Sequence, residues 1–215
     1  ISIDKLMAMM SDPDADEAEL SKYFMLDEEA SRPFSPRFVL NPDTVSIPDG
    51  TEGVERSAQA MNSANWFARM KRRSAFFKKL KGGYSGPIIV SEGDSWFQYP
   101  LLLKDTIDWL MKDFAVHSLG AAGDLLEHMA DKQEYLRAIE DNNAEILLLS
   151  RGGTDLVASG ALASHLEAFD ASLMPEDYLL PSFTALLDGA LTQYERMFTQ
   201  VRQTFPHVNI LCHGY

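Results

Sequence analysis

From residue 86 onward, short apolar runs alternate with longer amphipathic stretches. Runs of four to eight apolar residues bounded by turn residues read as buried strands. The pattern predicts strands at Pro87–Ser91, Phe114–Leu119, Ala144–Ser150 and Val208–His213. A helix is predicted between the first two, over Leu101–Phe114. A second starts at Asp124, with Leu125, Met129, Leu136 and Ile139 on one side. A third spans Pro181–Phe205, with Phe183, Leu187, Leu191, Tyr194, Phe198, Val201 and Phe205 as its apolar stripe. Strands alternating with helices predict an α/β fold around a parallel sheet with right-handed crossovers. The fourth strand has no helix after it. The pattern therefore predicts an open edge, covered by further chain beyond Tyr215 or by a second polypeptide that completes the fold.

Before residue 86 the pattern differs. Residues 1–31 read as helical and acidic, with Ile3, Leu6, Met7 and Met10 on one face. Asp14 and Glu17 have the spacing of a capping box for a helix carrying Leu20, Tyr23 and Phe24. Asp12, Asp14 and Asp16 alternate as in a calcium loop, but Glu17 stands where that loop needs glycine and Tyr23 where it needs glutamate. These acids read as cap and solvated face. Residues 32–53, with Pro33, Pro36, Pro42 and Pro48, read as an extended strap. A long helix follows from about Val54 to Leu80, with Met61, Trp66, Met70, Phe76 and Phe77 as apolar contacts, closed by Lys81-Gly82-Gly83. The predicted organisation is an acidic appendage and strap (1–53), a basic amphipathic helix (54–85) and an α/β domain (86–215).

Charge narrows the function. The 215 residues carry a formal net charge of −13, which argues against nucleic acid and anionic membrane surfaces as partners. Seven cations, Arg69, Lys71, Arg72, Arg73, Lys78, Lys79 and Lys81, nevertheless cluster near the end of the long helix. They suit its negative dipole end and read as a solvated face near an acidic surface. Cys212 is the one cysteine, which excludes an internal disulfide. No apolar run is long enough to span a bilayer as a helix, and no segment reads as a signal peptide. The expected location is cytoplasmic, with export lacking a visible signal as the alternative.

The strand ends carry the candidate chemistry. The first runs into Ser91-Glu92-Gly93-Asp94-Ser95-Trp96, the second into Ser118-Leu119-Gly120-Ala121-Ala122-Gly123-Asp124, the third into Ser150-Arg151-Gly152-Gly153-Thr154-Asp155. Open α/β sheets place their ligands at such ends. Each segment alone is also an ordinary turn. Three in order on successive strands, with serine in the first, resemble the SGNH hydrolases, also called GDSL lipases and esterases. The resemblance covers roughly residues 86–215. It implies a flavodoxin-like three-layer α/β/α fold, incomplete at its C-terminus here, and hydrolysis of a small-molecule, lipid or sugar ester without metal or organic cofactor. By that resemblance Ser95 is the nucleophile, and the amides of Ser95 and Gly123 are oxyanion donors.

Two positions depart from the family. Its third oxyanion donor is the asparagine of Gly-Gly-Asn-Asp, and here that position is Thr154. A threonine hydroxyl can donate but is shorter. The family's Asp-x-x-His base follows a fifth strand, and the pattern has no match in this chain. Of the five histidines, His128, His165 and His207 read as structural or solvent-exposed and His117 as a hydrogen-bonded core residue. His213 ends the fourth strand at the active rim. Trp96, Phe97, Tyr99 and Pro100 suit either an acyl pocket or the core, and Arg151 either an acidic substrate or the plain surface. The Leu156–Leu180 connector is long enough to act as a lid. Two other classes stay open: a degenerate SGNH-fold binding module, and a flavodoxin-like nucleotide binder that lacks both Gly-rich phosphate motifs.

Overall fold

The computed structural model describes residues 1–215 except 13, 30, 32–37, 95, 100, 102–103, 121–125, 151 and 213–215, with backbone alone at 154 and 157–161. Four parallel strands form the main sheet: β3 (Ile88–Gly93), β4 (Ala115–Ser118), β5 (Ile146–Ser150) and β6 (Asn209–Cys212). Their spatial order is β4-β3-β5-β6. That order is the flavodoxin-like one, with the first strand of the sheet inside and the second at an edge. β4, β5 and β6 are each two residues shorter than their apolar runs, and β3 starts one residue later and ends two residues later than its run, because ladder pairing rather than hydrophobicity sets the ends.

Pairing fixes which side chains share a face. Val90 pairs with Leu147, and Ile89 with both Ile146 and Val116. Val90, Leu147 and Leu149 pack under α5 (Leu126–Lys132), α6 (Glu134–Asn142) and α8 (Pro181–Thr204). On the opposite face Ile89 and Val116 pack with Ile107 of α4 (Thr106–Asp113) and with Phe97. Helices on both faces of a parallel sheet make this a three-layer α/β/α fold. Among the described residues β6 pairs with β5 alone, and Leu211 on it is 53% exposed.

Two predicted helices are corrected. The Leu101–Phe114 helix begins only at Thr106, because Asp105 caps it. The Asp105 side chain accepts from the amides of Ile107 and Asp108, and Asp108 accepts from the Asp105 amide. Leu101, at φ 67°, lies in the left-handed region and outside any helix. The helix expected from Asp124 is two helices, parted at Gln133, whose φ is 53°.

The first 85 residues build a second core. α1 (Ile3–Met10), α2 (Glu17–Ser21) and a two-stranded ribbon, β1 (Phe24–Leu26) with β2 (Phe38–Leu40), pack on α3 (Gly50–Lys81). The cap of α2 is Asp16, not Asp14: Asp16 accepts from the Ala18 amide, while Asp14 pairs with Lys78 at 2.8 Å. α3 starts at Gly50, four residues ahead of the expected start. Its buried stripe is also corrected. Ala60, Ala64 and Phe67 face this core, while Trp66 is 48% exposed and Phe77 39%. Small side chains at positions 60 and 64 let α1 and the ribbon approach closely, so alanines rather than the flanking large residues define the face.

Phe67 and Trp66 are neighbours with opposite environments. Truncating Phe67 to Ala is expected to cost about 3–5 kcal/mol, and truncating Trp66 under about 1 kcal/mol, in urea unfolding. Equal costs would contradict the assigned helix face.

Candidate active site

β3, β4 and β5 are neighbours and parallel, so their C-terminal ends lie side by side. Ser91 pairs with Ser118, and Gly93 with Ser150. The loops leaving them are tied together. The Leu119 amide donates to Ser91 O at 2.8 Å, and the Asp94 amide to Ser150 O at 3.2 Å. Glycine is required twice here. A Cβ on Gly93 would stand 2.7 Å from the Phe97 ring, and Gly152 holds φ 103°, a left-handed conformation that side chains disfavour.

The turn after β3 is built on Asp94. Its side chain is fully buried and accepts from the Trp96 amide at 3.2 Å, an Asx turn. Its carbonyl accepts from the Phe97 and Gln98 amides, at 3.0 and 2.9 Å. These bonds link Asp94 to each of residues 96–98, across position 95 in the sequence. Ser95 and Gly123 lie outside the described residues. Thr154 is in the first turn of α7 (Gly153–Val157), directly after the Gly152 turn. Arg151 and His213 also lie outside the described residues.

Asp155, next to Thr154, has a role that the motif reading missed. Its carboxylate accepts from the Leu126 amide at 3.1 and 3.4 Å. An acidic side chain there suits the positive end of α5. The bond ties the start of α5 to the first turn of α7, after β5.

A second missed residue is Arg72. It is 6% exposed, unlike the solvated cation expected. Its Nη1 donates to the Phe97 carbonyl at 2.5 Å and to Gln98 Oε1 at 2.8 Å. Its Nη2 donates to Asp105 Oδ2 at 2.5 Å and to Asp108 at 2.8 Å, and its Nε to Asp108 at 3.1 Å. Asp105 Oδ2 also accepts from the Tyr99 amide at 2.9 Å. Burial pushes the Asp105 carboxyl up, and Arg72 offsets part of that rise. The signal in the sequence was the Asp105-x-x-Asp108 box, two acids in a first turn that needed a cation. Leu101 completes the attachment: it is buried in the core of the first 85 residues, and Phe38 meets Tyr99 edge-on at 4.6 Å.

Polar groups persist below the rim. Ser91 Oγ, Ser118 Oγ and Gln98 Nε2 are buried and have no hydrogen-bond partner among the described residues. Glu92 is buried as well. Burial raises the Tyr135 hydroxyl to about 12, so it stays a neutral donor, to Gln200. Trp96 is 50% exposed and Phe97 buried, which divides the aromatic run between surface and core. The connector after α7 is folded: two 3-10 turns, Ala158–His165 and Pro175–Tyr178, flank a bridge between Leu166 and Leu179. Phe169 at its tip is 87% exposed.

His117 is held away from the strand tips. Asn142 Nδ2 lies 2.8 Å from its Nδ1, and its ring stacks on Phe76. His165 lies 2.9 Å from Ser182 Oγ, and His207 meets Phe205 edge-on. His128 is exposed on α5. Among the described residues no group of three or more His, Cys, Asp or Glu side chains could hold a metal. Among them, too, no helix is long and apolar enough to cross a membrane.

No family model matches the chain, and no curated protein matches it. A solved structure named "a putative platelet activating factor from Streptococcus pneumonia" is 15% identical with a TM-score of 0.36. The match covers 72% of this chain and 58% of that one. A likeness of that size carries no argument about activity.

His117 supplies a pH test. Burial first, then Arg73 and Arg69, lower its pKa below the ordinary 6.5, against Asp141. The unfolded chain therefore takes up a proton before the folded one. Stability is full above the unfolded value and falls as pH drops below it, with the loss ending at the depressed folded value. Between pH 7 and pH 5 wild type should lose more stability than His117→Gln in urea unfolding. Parallel losses would contradict a neutral, buried His117.

Proposed function

We propose that the chain is a serine ester hydrolase of the SGNH type. Ser95 attacks the ester carbonyl, an acyl-enzyme forms as the alcohol leaves, and water releases the acid. The observation that carries the reading is the Asp94 turn. It sits at the C-terminal end of an inner parallel strand, bonded to the tip of β5. A nucleophile needs a sharp, fixed turn, with amide donors aimed at the developing oxyanion. The amides of Ser95 and Gly123 are the proposed donors, and Asp155 holds the Leu126 amide, three residues after Gly123. The substrate class is a small-molecule, lipid or sugar ester, and Trp96 and Tyr99 are the proposed walls of its pocket. The folded connector bearing Phe169 is the proposed lid.

Thr154 favours one second reading, a binding module on the same fold. Loss of an oxyanion donor costs about 2.7–4 kcal/mol of transition-state stabilisation. A site without the asparagine can hold an ester and turn it over slowly or not at all.

A fluorophosphonate probe separates the two readings. It should label the full-length protein at Ser95, and Ser95→Ala should abolish the label. A wild-type protein that resists the probe, or a label that survives Ser95→Ala, would overturn the hydrolase reading.

A further inference from the structure

We infer that Arg72 is a positioning residue for Ser95, reaching the nucleophile turn from a helix that lies outside the sequence stretch bearing the motifs. The inference rests on the hydrolase reading for its purpose, and on hydrogen bonds for its geometry.

Two sets of bonds hold the residues around position 95. Asp94 accepts the amides of Trp96, Phe97 and Gln98. These bonds close the turn, and the Asp94 amide ties its start to Ser150 O of β5. Arg72 adds a hold from another helix, binding the Phe97 carbonyl and the side chain of Gln98. The same guanidinium grips Asp105, whose other contacts are the Tyr99 amide and the first turn of α4. Residues 97, 98, 105 and 108 therefore converge on one rigid planar cation, and the Tyr99 amide joins them through Asp105. Ser95 is two residues from the nearest of these anchors.

A stabilising role alone does not account for this arrangement. Replacing a buried ion pair by apolar residues is often neutral or favourable, so such pairs are weak evidence of stability. Two of the five donors go to the loop itself rather than to a carboxylate. Guanidinium geometry is needed for that, since a lysine ammonium carries the same charge without the fork. A reacting group displaced by about 1 Å loses roughly a hundredfold in rate. The N-terminal core then has a function in the site. Leu101 is buried in it and Phe38 meets Tyr99, so α3 is itself held in place where Arg72 leaves it.

The test uses Arg72→Lys and Gln98→Met in the full-length protein. Gln98→Met removes one acceptor and leaves the ion pairs intact, so it reports even if the arginine variant fails to fold. Two quantities are read: hydrogen exchange at the Phe97 and Gln98 amides, and the fluorophosphonate reaction resolved into probe affinity and maximal labelling rate. Arg72→Lys should lower protection of those two amides about tenfold or more, with Val90 and Leu147 in the sheet unchanged. Its maximal labelling rate should fall about tenfold or more at unchanged probe affinity. Gln98→Met should move both in the same direction by a smaller factor. Unchanged protection in both variants would overturn the inference. Lost protection with undiminished labelling would overturn the positioning role as well. A wild-type protein that is never labelled would instead strike the hydrolase reading, and the exchange data would then describe a clamp on the turn without a nucleophile to aim.

Discussion

The fold depends on how one buried cation is satisfied. A guanidinium taken out of water is costly unless each of its N–H groups finds an acceptor. Arg72 has five such groups and makes five bonds, two to the β3 loop and three to the acids that open α4. The acids are satisfied in turn, since Asp105 also caps α4 and receives the Tyr99 amide. Removing one member leaves charges buried without partners, which makes the cluster cooperative. Seven residues on, two helical turns along α3, Lys79 donates to the carbonyls of Met111, Lys112 and Phe114 at the other end of α4. One helix thus holds α4 at its N-terminal acids and at its C-terminal carbonyls, the two places where a helix leaves backbone groups open.

This attachment joins the N-terminal residues to the β3 loop. The exposed pairs Arg56–Asp4, Lys71–Glu17 and Lys78–Asp14 are each weak. The apolar cluster with Leu101 in it, together with Arg72, does more. The described residues between β3 and α4 are irregular backbone following the C-terminal end of β3. Such segments move unless something fixes them. Here the acids of α4, the fork of Arg72 and the socket for Leu101 fix it in three places.

Much of this was legible in the residues. Apolar runs at 87–91 and 144–150 located the two inner strands, because parallel strands buried on both faces read as near-continuous apolar runs; the run at 208–213 located β6, although that strand is largely exposed. The glycines of the β5 loop were legible too, since Gly152 answers to a left-handed backbone. The breaks were harder. Leu101 belongs to an apolar stretch that looks helical, and the Asp105 cap together with docking into a distant core leaves it outside the helix. Gln133 adopts a left-handed conformation without being glycine, and no local residue signals it. Arg72 sat among seven clustered cations, so charge counting hid the one that is buried. Its partners are 25 to 36 residues away in sequence, a separation at which periodicity carries no information. Trp66 and Phe67 show the same limit, since size pointed to the tryptophan and packing chose its neighbour.

The most direct measurement is a double-mutant cycle on Arg72 and Asp105, using Arg72→Met, Asp105→Asn and the pair, followed by urea unfolding. A buried, hydrogen-bonded ion pair that organises its surroundings should show a coupling energy of about 1.5–3 kcal/mol. Additive single effects, with a coupling near zero, would mean that the guanidinium and the α4 cap do not act as one unit, and the account of how this molecule holds its loop would be wrong.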